Sequence, residues 1–161
     1  MLFRSMLTQR NSICQNAVIE SASVIPSTMT NALIKPMFSL SYGLVKKKCF
    51  AQMQFDYLHI RKDLFEDYYR DTSQISKENM IAFLEANTSY EIKPNFQDVH
   101  AKVRILVGEK EQKKMICSAE QIHKVLPNSV LEIKKGLYHG EYSINHSEEY
   151  TKELLDMINA Q

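Results

Sequence analysis

The stretch from residue 100 to the C-terminus constrains the fold more than any other, because strand-like and helix-like runs alternate there with short connections. "KVRILVG" is a nearly continuous apolar run ending in Gly108, the pattern of a buried parallel strand. In "EQKKMICSAEQIHKVL", Met115, Ala119, Ile122 and Leu126 share one helical face, and Pro127 ends the helix. "SVLEIKKG" runs through Val130, Leu131 and Ile133 to Gly136 as a second strand. A polar loop holding His139 follows, and Ser147 or Asn145 can cap a last helix. Glu148 and Glu149 lie in its first turn, where the helix dipole favours them, and Tyr150, Leu154 and Ile158 are its expected buried stripe. This order predicts an α/β fold with parallel pairing and a right-handed crossover.

Upstream, residues 6–25 read as a short helical piece followed by "NAVIESA", a small strand around Ala17, Val18 and Ile19 that Pro26 closes. Residues 27–98 form a separate helical part. In "SKENMIAFLEANTSY", Ser76 is the expected N-cap, with Met80, Phe83, Leu84 and Asn87 at helical spacing. "DYLHIRKDLFEDYYRD" places Tyr57, Ile60, Leu64 and Tyr68 on one stripe, with His59 on the same helix. Three divisions follow: 1–26, 27–98 and 99–161.

Charge and cysteine usage exclude several classes. The net charge is +1 with both signs interspersed, so no bulk field favours nucleic acid or an anionic membrane. Lys46-Lys47-Lys48 is the basic run, and it reads as a solvated helix end. Cys14, Cys49 and Cys117 are widely spaced, which fits reduced thiols in a reducing, cytoplasmic setting rather than a disulfide framework or zinc site. No apolar run approaches the ~20 residues needed to span a bilayer, and "MLFRSMLTQR" lacks the apolar centre of a signal peptide. No metal or other cofactor is expected. The histidines show no compact ligand spacing, and neither G-x-G-x-x-G nor the phosphate-binding G-x-x-x-x-G-K-[ST] occurs.

Reactive groups in parallel sheets gather beyond the carboxyl ends of the strands. Two polar clusters fall there: Glu109-Lys110-Glu111, and Tyr138-His139-Gly140-Glu141. A carboxylate beside a histidine can orient the ring, fix its tautomer and stabilise the imidazolium. Spacing alone leaves both this pairing and an ordinary surface histidine open. Ser21 and Ser23 follow the first strand, but neither lies in a glycine-flanked turn that would present a nucleophilic hydroxyl. Glu20, at the end of "VIE", could face the site, and a solvated strand end is the preferred reading.

The stretch "VRILVGEKEQKKMICSAEQIHKVLPNSVLEIKKGLYHG" resembles the C-terminal third of an α/β-hydrolase. That family shows an apolar run, Gly, two residues and an acid, then a helix, P-x-(A/S)-x-L, a strand and the catalytic His. The resemblance places the acid at Glu111, with Glu109 as the alternative, and the catalytic His at His139. "NAVIESA" would be the sixth strand, and residues 27–98 the helical lid inserted before the seventh. Tyr138 stands where the family more often has Gly, and the acid is Glu where Asp is commoner.

The family's nucleophile stands in G-x-S-x-G on a strained strand-to-helix turn, and this sequence contains no such motif. The resemblance therefore implies a C-terminal fragment of a serine hydrolase, lacking its nucleophile and inactive as it stands. Residues 1–5 are expected to be non-native, since "LFRS" is what the end of a common sequencing adapter encodes in one frame. The implied substrate is a small-molecule ester or amide. Met29, Met37, Phe38, Phe50 and Phe55 could shape its acyl pocket or form plain core. The reading of another class is a small α/β binding module in which His139 and Glu111 do no chemistry.

Overall fold

Three parallel strands form one sheet in the order β1-β2-β3, in a computed structural model that describes residues 7, 9, 13–126 and 128–159. The strands are β1 (Asn16–Glu20), β2 (Lys102–Gly108) and β3 (Val130–Lys134). The central strand pairs Ile105 with Ile19 on one side and with Leu131 on the other. Being covered on both faces explains why Val103, Ile105, Leu106 and Val107 are all buried.

The chain divides into two compact units, Met1–Ile25 with Tyr90–Gln161, and Pro26–Ser89. In the sheet unit, Ala17, Ile19, Val103, Ile105 and Val107 make one apolar face. Ala119 and Ile122 of α5, the helix Lys113–Val125, and Leu126 just after it pack into the same core. Tyr90 and Phe96 belong to this core too, so residues 90–98 pack with the sheet unit although the sequence groups them with the helical stretch. Pro94–Asp98 form a 3-10 turn. The first helical piece lies outside the described residues except Leu7 and Gln9, which are helical; residues 1–5 and Pro127 lie outside them altogether.

Two helices end the sheet unit, α6 (Glu141–Asn145) and α7 (Ser147–Asn159). The sequence reading missed α6, which is barely more than one turn. The face of α7 toward Val18, Arg104 and Leu106 carries Tyr150, Glu153, Leu154 and Met157, whereas Ile158 is exposed. Helix geometry explains the correction. At 3.6 residues per turn, Met157 lies about 20° from the direction of Tyr150 and Ile158 about 80° away.

A polar cluster holds α6 and α7 against β3. Lys134 Nζ pairs with Glu132 (3.0 Å) and Glu153 (2.8 Å), and the Tyr142 hydroxyl donates to Glu153 at 2.6 Å. Burial opposes the charge on Lys134, but the hydrogen bonds to Glu153 and Glu132 carry its pKa above the ordinary lysine value.

The other unit is helical: α1 (Thr28–Val45), α2 (Lys48–Tyr57), α3 (Phe65–Gln74) and α4 (Lys77–Thr88). Lys46, Lys47 and Lys48 join α1 to α2, and Lys48 meets Glu66 at 2.6 Å. Ser76 caps α4 by accepting from Asn79 N–H, although Phe83 points to solvent. Asn31 ties α1 to α4 through the Glu85 carbonyl and the Thr88 hydroxyl. The stripe drawn from Tyr57 to Tyr68 is broken. The chain turns at His59, whose φ of +56° is left-handed, and a 3-10 turn at Lys62–Leu64 precedes α3. The buried anchor is Phe55, with Phe65 and Tyr68 packed on its ring at 5.3 and 5.2 Å, while Tyr57 is exposed.

Gly43 lies inside α1 with open space where a side chain would begin. Gly43→Ala should therefore raise the stability of this unit by roughly 0.5–1 kcal/mol, read as a higher urea midpoint. No helix among the described residues is long and apolar enough to cross a membrane.

Candidate active site

The end of β2 turns sharply: Glu111 N–H returns to the Gly108 carbonyl at 3.2 Å, and Lys110 N–H reaches the Leu137 carbonyl at 2.9 Å. This turn buries the Glu111 side chain completely, while His139 remains 58% exposed. Glu111 Oε2 meets His139 Nδ1 at 2.8 Å, and Oε1 accepts from Gly108 N–H at 2.8 Å. Glu109 does something else. Its Oε2 accepts from Gly136 N–H at 2.8 Å and so pins the turn after β3.

The end of β1 supplies two further groups. The Ser21 hydroxyl donates to Glu111 Oε1 at 2.7 Å and accepts from Gly140 N–H at 2.9 Å. Glu20 Oε1 accepts from Ser143 N–H at 3.2 Å, at the start of α6. Glu20 thus engages α6, the helix after the loop that carries His139, which fits the site-facing reading of this residue rather than the preferred solvated strand end. Neither Glu20 nor Ser21 belongs to a local motif. A usable signal was positional: both stand at the carboxyl end of the strand paired with β2.

The electrostatics are mutually reinforcing. Burial would raise the Glu111 pKa, but hydrogen bonds from His139, Ser21 and Gly108 outweigh it and bring the carboxyl below its ordinary value. The hydrogen bond to Glu111 raises the His139 pKa against the opposing effect of burial, and the charges of Glu111 and Glu20 add to the rise. A buried carboxylate on Nδ1 leaves Nε2 as the nitrogen for proton exchange. Among the described residues, no group of three or more His, Cys, Asp or Glu is placed to hold a metal ion.

No family model matches this sequence, and no curated protein matches it. Solved structures do. An esterase from Exiguobacterium antarcticum is 14% identical with a TM-score of 0.77, over 98% of this chain and 62% of that one. An α/β hydrolase enzyme from a Medee basin deep-sea metagenome library is 10% identical with a TM-score of 0.69, over 98% and 61%. This chain carries the C-terminal part of an α/β-hydrolase fold.

A structure from a study of carboxylesterases of Nitrososphaera gargenis extends the same likeness, at 15% identity and a TM-score of 0.67 over 99% of this chain and 61% of that one. The chain thus spans about three fifths of the length of the hydrolase-fold structures it matches. Within this hydrolase fold, Glu111 and His139 project from the ends of β2 and β3.

Proposed function

We propose that this chain supplies the acid and the base of a serine hydrolase that cleaves a small ester or amide. The supporting observation is the contact of His139 Nδ1 with the fully buried Glu111 carboxylate. In this reading a serine in an upstream G-x-S-x-G attacks the substrate carbonyl and gives its proton to His139 Nε2. His139 passes the proton to the leaving group, and water repeats the cycle on the acyl-enzyme. Glu111 holds the ring with its proton on Nδ1 and stabilises the imidazolium. The helical unit, inserted in the sequence between β1 and β2, is the lid. Phe55 is core of that unit, while Met29 and Met37 are exposed side chains.

The test begins with the genomic sequence upstream of residue 6. An open frame encoding G-x-S-x-G is expected. The protein extended by that segment should hydrolyse p-nitrophenyl esters and be labelled by a fluorophosphonate at the motif serine, and the present chain should do neither. A stop codon immediately upstream, or an extended protein that resists labelling, would remove the hydrolase reading and favour the binding module.

A further inference from the structure

Ser21 is held through both its backbone and its side chain. It follows β1 with its N–H on the Leu106 carbonyl at 2.9 Å, so one more rung of the parallel ladder fixes it beside the end of β2. Its φ is +49°, in the left-handed region that an L-residue other than glycine enters at a cost of roughly 1 kcal/mol. Glycine would suit this backbone better. The structure nevertheless has a hydroxyl there, and both of its contacts lie in the candidate site.

That hydroxyl reaches two segments far apart in sequence. It donates to Glu111 Oε1, which also takes Gly108 N–H, so one carboxylate oxygen is held by two donors. Rotation about the last bond of a glutamate side chain is soft, and two donors on Oε1 leave Oε2 facing His139 Nδ1. The same hydroxyl accepts from the N–H of Gly140, the residue after His139, and so holds the loop carrying the base. One oxygen therefore positions the acid and the base together.

We propose that Ser21 is a positioning residue, whose hydroxyl holds the Glu111 carboxylate and the His139–Gly140 backbone in the arrangement that brings acid and base together. Its catalytic meaning rests on the hydrolase reading, but the arrangement itself does not. The charged groups around His139 are Glu111 from the turn after β2 and Glu20 from β1. Glu141 of α6 accepts from Tyr138 N–H, and Lys110 lies over the Tyr138 ring at 5.0 Å. All of these remain when Ser21 is replaced, so a change in His139 titration reports the lost hydroxyl.

The experiment compares the present chain with Ser21→Ala and Ser21→Gly. The ring protons of His139 are followed by NMR across pH, and unfolding is followed in urea. Both variants should lower the His139 midpoint toward the ordinary imidazole value, because the loosened carboxylate holds the imidazolium less. Ser21→Gly should be the more stable of the two, since glycine adopts the left-handed backbone freely. It therefore reports the hydroxyl even if Ser21→Ala folds poorly. A Ser21→Gly midpoint that is unchanged or raised would overturn the proposal. In the extended hydrolase, Ser21→Gly should lower kcat by about tenfold or more while KM holds. If the extended protein has no activity, the titration still decides the role of Ser21. An active enzyme whose kcat ignores Ser21→Gly would sink this inference and leave the hydrolase reading standing.

Discussion

Gly108→Ala should destabilise the sheet unit by about 3 kcal/mol and separate His139 from Glu111. A β-carbon at this position would overlap the Leu137 carbonyl oxygen, and would lie 2.8 Å from both the Leu137 carbonyl carbon and the Tyr138 carbonyl oxygen. These are backbone atoms, so no rotamer change relieves the overlap, and the segment leading to His139 must move as a whole. Moving it breaks the Lys110 N–H bond to Leu137, the Gly140 N–H bond to Ser21 and the contact between Nδ1 and Oε2. The site would be lost even in molecules that remain folded. Urea unfolding gives the stability, and the NMR titration of His139 gives the geometry. A variant with the wild-type midpoint in both experiments would mean that the loop accommodates the methyl group and that the close approach has no structural role.

Much of this arrangement was legible because parallel strands have a strong local signature. "KVRILVG" reads as a covered central strand since its apolar residues do not alternate with polar ones after Arg104, and Ile105, Leu106 and Val107 are indeed all buried. Ser76 was legible as a cap because its hydroxyl acts within four residues. The break at His59 was not, since the apolar spacing from Tyr57 to Tyr68 runs across a turn whose left-handed residue is not a glycine. Residues 90–98 were misgrouped for another reason. Tyr90 and Phe96 belong to the sheet core through contacts distant in sequence, and no local pattern announces them.

The candidate site divides along the same line. Glu111 and His139 were singled out by their places after strands and by resemblance, and the structure brings their side chains within 2.8 Å. Ser21 was set aside because it was judged only as a nucleophile, on the ground that no glycines flank it. Its contacts reach residues 90 and 119 positions away, so pairwise spacing carries no trace of them. What could have revealed it was topology: once β1 is placed beside β2, the residue after β1 must lie beside the turn that holds Glu111.

On the proposed hydrolase reading, Glu111→Gln should cost the protein extended upstream roughly 10³–10⁴-fold in kcat while leaving the shape of the site intact. Glutamine can keep an oxygen toward Ser21 and Gly108, which donate to Oε1, and its amide nitrogen then faces His139 Nδ1. An amide N–H there favours the ring tautomer with its proton on Nε2, which is unable to accept the serine proton. The stability consequence has a sign that depends on pH. The Glu111 pKa is lowered by folding, so its contribution is present above the ordinary carboxyl value of 4.5 and is lost as pH falls through the folded value. The His139 pKa is raised, so its contribution is complete below the ordinary value of 6.5 and is lost as pH rises through the folded value. Both contributions are complete only between those two values. Wild type should therefore exceed Glu111→Gln in stability by the largest margin there, about 1–2 kcal/mol once the exposure of His139 is allowed for, with the margin shrinking on either side. Urea midpoints of the two proteins from pH 3 to pH 9 measure this directly. A margin that is flat across the range would mean that the buried carboxylate is held by Ser21 and Gly108 alone and that its charge contributes nothing through His139.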